Sequence, residues 1–151
     1  MILPVDPNTV AQGIQLAVAP VFLLTAVAAM IGAVANRLAR IIDRARLVEE
    51  RIDAMGENGG PKVQSAYREL GELRKRGLLS NTCIALLTLC SLLIGVTIVV
   101  LFLGETLHVQ GFRTSVVSFL SGVTCFLLAL ICFLAETLIA TRLLNFKRPA
   151  A

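Results

Sequence analysis

Asn36–Arg46, NRLARIIDRAR, is the stretch whose reading decides the fold of this chain. It follows a predominantly apolar run from Pro7 to Ala35 that carries no charge. Neither Gly nor Pro stands between Ala33 and Arg46, so nothing local stops a helix there. An apolar helix is therefore expected to continue directly into a basic, amphipathic one. The junction marks a boundary between hydrocarbon and water.

Working outward, three stretches lack charge: Pro7–Asn36, Gly77–Gly104 and Thr114–Ala135. Each exceeds the roughly 20 residues with which a helix crosses about 30 Å of hydrocarbon. Composition agrees: 56% of residues are hydrophobic and 16% charged, where a soluble domain carries about 25%. The runs do not alternate polar and apolar as membrane strands would. The expected fold is all-α, with three transmembrane helices near 14–35, 79–103 and 116–140 in a single membrane domain, residues 1–151. Pro20 lies inside the first span and predicts a kink there. Ala33-Val34-Ala35 resembles a signal-peptide cleavage site. No positive charge precedes the run, however, and the arginines follow it, so a retained helix is expected.

Basic residues set the orientation. Ten of the 14 Lys and Arg fall between Arg37 and Arg76, and Arg142, Lys147 and Arg148 follow the third span. Only Arg113 lies between the second and third spans. The segment 36–77 and the C-terminus are thus expected in the cytoplasm and the N-terminus outside. The net charge of +4 is mostly a topology signal. Nucleic-acid binding needs a clustered basic face, and the 36–77 segment sets seven acids against its ten bases.

That segment is patterned. Leu38, Ile41, Ala45, Val48, Ile52 and Met55 recur at alternating spacings of three and four, and Val63, Ala66, Leu70, Leu73 and Gly77 repeat the rhythm. Between the runs stands Gly56-Glu57-Asn58-Gly59-Gly60-Pro61, a stop-and-restart signal. The reading is an antiparallel helical hairpin with coiled-coil-like seams. Glu72 and Arg76 are spaced to pair along one helix.

The third span has one face of small residues, Ser118, Gly122, Cys125, Ala129 and Cys132, ending in the carboxylate of Glu136. Small faces let helix backbones approach closely in lipid. The first span has a row of similar spacing, Ala19, Phe22, Ala26, Ala29, Ala33, Asn36 and Arg40, and the two faces are expected to pack, within one chain or between chains. Each helix also brings a polar group to the cytoplasmic edge: Asn36 with Arg37 and Arg40, then Asn81, then Glu136. A lone carboxylate in hydrocarbon is costly, so Glu136 is expected to pair with Arg37 or Arg40. Arg37, Arg40 and Arg44 share a helical face suited to anionic headgroups.

Chemistry-bearing motifs are missing, and neither catalysis nor a cofactor is expected. Cys83, Cys90, Cys125 and Cys132 all sit in spans without metal-ligand spacing, and no metal site is expected. Glu105-Thr106-Leu107-His108 has the E-x-x-H spacing but no further ligands beside it. The glycines at 56, 59 and 60 precede no G-K-[ST], so they are turn residues, not a phosphate loop.

The chain resembles a bacterial membrane-protein family known as domain of unknown function 2721. The resemblance rests on Pro20-Val21-Phe22-Leu23-Leu24, on the whole of Asn36–Arg46, on Arg74-Lys75-Arg76 before the second span, and on the late Glu136. Where the family pattern places a basic residue soon after that carboxylate, this chain has Thr137-Leu138. The resemblance implies a bacterial inner-membrane protein with about three spans and implies no activity. The expected partners are the lipid bilayer and either further copies of the chain or another membrane protein. The expected role is a helix-packing scaffold or accessory subunit. The alternative is an oligomeric channel or small-solute transporter with Glu136 and Asn81 near its pathway.

Overall fold

Three helices make up the computed structural model, which describes residues 7–56, 60–107 and 112–145. Helix α1 is Pro7–Met55, α2 is Gly60–Leu107 and α3 is Phe112–Asn145. No strand occurs among the described residues. At 1.5 Å per residue, the 49 residues of α1 extend about 73 Å, more than twice the thickness of hydrocarbon. The apolar and basic stretches thus belong to one continuous helix, as expected from the uninterrupted junction at Asn36. The helix remains single across Pro20, which is buried. His108 of the E-x-x-H spacing lies outside the described residues.

The turn follows from its glycines. Gly56 has φ 59° and Gly60 has φ 51°, a left-handed conformation that costs a residue with a Cβ far more than it costs glycine. The Gly56 amide donates back to the Asp53 carbonyl at 3.4 Å as α1 ends. Pro61, in the first turn of α2, has no N–H to leave unpaired.

The chain forms two compact units, and each helix contributes to both. The first comprises residues 1–31 and 86–128. Its buried residues include Ala17 and Val27 of α1, and Leu87, Cys90, Ile94 and Thr97 of α2. Gly122 of α3 is buried as well. A Cβ built on it would stand 3.3 Å from Ile94 Cγ1 and 3.6 Å from the Cys90 carbonyl oxygen, so hydrogen is the side chain that fits without adjustment. Ser118 donates across to the Leu93 carbonyl at 2.9 Å. The small face of α3 therefore packs on α2.

The second unit comprises residues 32–85 and 129–151. Its core is the hairpin seam: Ile41, Val48 and Ile52 of α1 against Ala66 and Leu73 of α2, flanked by Ala45, Val63 and Leu70. Gly77 borders this seam: a Cβ built on it would meet Leu38 and Ile41 at 3.9 Å, ordinary van der Waals contact. The Cys83 thiol donates to the Ala129 carbonyl at 3.3 Å. All four cysteines are free. Since Leu73 is buried among aliphatic side chains, Leu73→Ala should lower stability by about 2–4 kcal/mol. The exposed Leu47→Ala should change it by less than about 0.5 kcal/mol. Denaturant unfolding of the whole protein in mild detergent measures the difference.

One expectation is corrected within the single chain. The alanine row of α1 does not pack on α3: Ala19, Ala26, Ala29 and Ala33 are all exposed. The inward stripe is Val27, Val34, Ile41 and Val48, one residue every seventh position. These branched side chains fill space that a row of methyl groups would leave empty.

All three helices are long and apolar enough to cross a membrane. Only 17–22% of their most apolar windows is buried, and Phe22, Leu92 and Ile131 are among many large side chains facing outward. Soluble proteins rarely carry such surface, whereas a bilayer covers it. Several hydroxyl groups in these stretches bond to their own helix, as Thr97 does to the Leu93 carbonyl and Thr124 to the Leu120 carbonyl.

Candidate functional site

The polar centre lies in the second unit, on the seam. Glu136 of α3 is buried, with 2% of its surface exposed. Arg37 Nη1 of α1 donates to its Oε2 at 2.8 Å, and Arg76 Nη2 of α2 donates to its Oε1 at 3.0 Å. One carboxylate thus joins three helices. Arg37 Nη1 also donates to the Thr137 hydroxyl at 2.8 Å, and that hydroxyl donates to the Phe133 carbonyl. The Arg37 guanidinium sits 4.9 Å from the centroid of the Phe133 ring, within cation–π range. The Thr137 hydroxyl thus serves as an acceptor for an arginine supplied by another helix.

Of the polar residues expected together, the structure joins Arg37 to Glu136 and leaves the others apart. Asn36 and Asn81 are exposed: Asn36 stands two residues past the buried Val34, and Asn81 one past the buried Ser80. Arg40 is exposed and lines a cavity instead of pairing with Glu136. Of the packing face, Gly122 and Ala129 are buried, while Ser118, Cys125 and Cys132 are partly so.

Arg76 is a second partner of Glu136 that spacing along α2 does not indicate. Its spacing from Glu72 suggested a pair along the helix, but its guanidinium turns across to α3. The signal was present in the hairpin: Arg37 and Arg76 stand about equally far from the turn at Gly56–Gly60, and an antiparallel hairpin brings such residues level. Arg44 and Glu69 obey the same rule and pair at 2.7 Å on an exposed part of the seam.

Two cavities adjoin this centre. One of about 270 Å³ is lined by Arg37, Arg40, Arg44 and Arg76 with Glu136, Ile41 and Leu73. The other, about 740 Å³, shares Arg44, Leu73 and Arg76 and adds polar side chains such as Gln64, Ser65 and Arg68. No grouping of three His, Cys, Asp or Glu suited to a metal occurs among the described residues.

The sequence matches the family described as "Protein of unknown function (DUF2721)" over residues 17–146. The chain belongs to this family. The match takes in both Arg37 and Glu136, so the family region contains the buried pair with its second arginine, Arg76. No curated protein and no solved structure matches the chain.

Proposed function

We propose that this DUF2721 protein is a non-enzymatic scaffold of the bacterial inner membrane. In this reading the N-terminus lies outside, and the hairpin 36–77 and the C-terminus lie in the cytoplasm. The observation that carries the proposal is the exposure of Ala19, Ala26, Ala29 and Ala33 on α1. A row of small side chains left unused by its own chain offers close approach to another helix in lipid. Self-association or attachment to a second membrane protein uses such a face. The excess of basic residues in the hairpin supports the orientation.

The channel reading has less support. Both carboxylate oxygens of Glu136 are engaged by arginines, and Asn81 is exposed. A carboxylate so occupied locks helices together and is poorly placed to receive a passing ion.

Particle size in mild detergent tests the scaffold. The wild type is expected to run as an assembly larger than one chain. Ala29→Phe should reduce the assembled fraction about tenfold while leaving thermal unfolding of the chain little changed, because Ala29 is exposed and small-residue contacts need close approach. A wild type that runs as a single chain in detergent and in nanodiscs, with no companion protein, would overturn the reading. Liposome flux that vanishes in Glu136→Gln while assembly persists would favour the channel instead.

A further inference from the structure

We infer that the arginine-lined cavity of the hairpin base is a binding site for a phosphate group. The cavity gathers Arg37, Arg40 and Arg44 from successive turns of α1, with Arg76 from α2. Two carboxylates answer these four guanidiniums: Glu136, shared by Arg37 and Arg76, and Glu69, held by Arg44. The charge surplus is therefore positive, and it includes Arg40, which lines the cavity and forms none of the ion pairs among the described residues.

Hydrogen-bond chemistry points the same way. A guanidinium carries five donors and no acceptor. The acceptors that these guanidiniums engage are the two carboxylates and the Thr137 hydroxyl, and Arg76 Nε is buried with no partner among the described residues. A centre with more donors than acceptors is completed by a ligand that only accepts. Phosphate oxygens fit that need, and arginine forks match their geometry.

Depth supplies the third argument. Arg37 is the first charge after the uncharged run Pro7–Asn36, and Arg76 the last before the uncharged run Gly77–Gly104. Both meet at Glu136, so the cavity stands at the border between apolar and charged stretches of two helices. In a bilayer that border is the headgroup layer, where anionic lipids attract basic side chains. The ligand chemistry is thus a phosphate, supplied either by an anionic lipid headgroup or by free phosphate. The site does not depend on self-association, and it stands or falls separately from the scaffold reading.

The test uses the full chain reconstituted in phosphatidylcholine nanodiscs, with and without phosphatidylglycerol. Arg40→Gln removes the unpaired guanidinium and leaves the Glu136 pairs intact. Arg51→Gln removes the same charge from an exposed position on α1 outside the cavity. If the source is lipid, native mass spectrometry of protein extracted into mild detergent should show retained phosphatidylglycerol. Retention should fall about tenfold in Arg40→Gln, hold in Arg51→Gln, and resist excess inorganic phosphate. If the source is free phosphate, no lipid is retained. Inorganic phosphate should then raise the melting temperature of the wild type in pure phosphatidylcholine, and not that of Arg40→Gln. No retained lipid together with no phosphate-induced shift in the wild type would overturn the inference. Equal losses in the two variants would also overturn it, because they would mark diffuse basic charge and no site.

Discussion

Glu136→Ala is expected to lower the stability of the folded chain by about 3 kcal/mol, the low end of what breaking a buried ion pair costs. The carboxylate is 3% exposed as a side chain and holds two guanidiniums that are 32% and 24% exposed. Removing it leaves two like charges facing each other at the hairpin base. Their partial exposure lets water and the adjoining cavity take up some of that cost. Arg37→Ala should cost less, about 1–2 kcal/mol, because Arg76 remains on the carboxylate. Part of that loss comes from the contact with Phe133. The joint change of Glu136 and Arg37 should cost less than the two single changes together, by about 1 kcal/mol or more. Equilibrium unfolding of all four proteins in one detergent closes the cycle. Strict additivity would show that the geometry at Glu136 contributes no coupling.

The second large effect is expected at Gly122. A methyl group there would stand 3.3 Å from Ile94 Cγ1 and 3.5 Å from Leu93 Cβ. Gly122→Ala asks the Ile94 side chain to give by a few tenths of an ångström, and should cost within about 1 kcal/mol. Gly122→Leu cannot be absorbed in that way, since the Cys90 carbonyl oxygen is backbone and lies 3.6 Å away. It should separate α3 from α2 in the first unit and cost about 3 kcal/mol, at or beyond the upper range for overpacking. Thermal unfolding in detergent and protease resistance both report it. The sequence pattern alone left open whether the small face of α3 packs within one chain or between chains. The structure locates its contact partner within the same chain, so lost assembly would follow from lost folding. A Gly122→Leu chain that melts as the wild type does would refute this contact.

The two variants differ in what they interrupt. Glu136 joins three helices by charge at one level of the hairpin base, whereas Gly122 admits one helix backbone to another along an apolar face. Neither effect passes through a reaction, in keeping with a protein whose proposed work is to hold helices in a fixed arrangement.

Much of this was legible before any tertiary structure. Charge-free length set the three apolar helices, because a helix must satisfy its backbone internally to cross lipid. The absence of Gly and Pro between Ala33 and Arg46 let α1 run on as one helix. Gly56 and Gly60 marked the turn because their backbone conformation excludes side chains. The seam of Ile41, Val48 and Leu73 followed from spacing alone. These features depend on near neighbours in the chain, and near neighbours are what a sequence displays.

Other features depended on how each helix is rotated about its own axis. The alanine row and the valine stripe of α1 are both periodic, and spacing cannot rank them. Packing chose the valines because they continue the hairpin seam and fill its volume. The same rotation left Asn36 and Asn81 outside, placed Arg40 on a cavity wall, and brought Arg76 to Glu136 in place of Glu72. The sequence by itself determined three helices, one turn and the seam register, because these are matters of local periodicity. Only the tertiary structure decided which arginines meet the buried carboxylate, because a partner on another helix is set by the rotation and level of both.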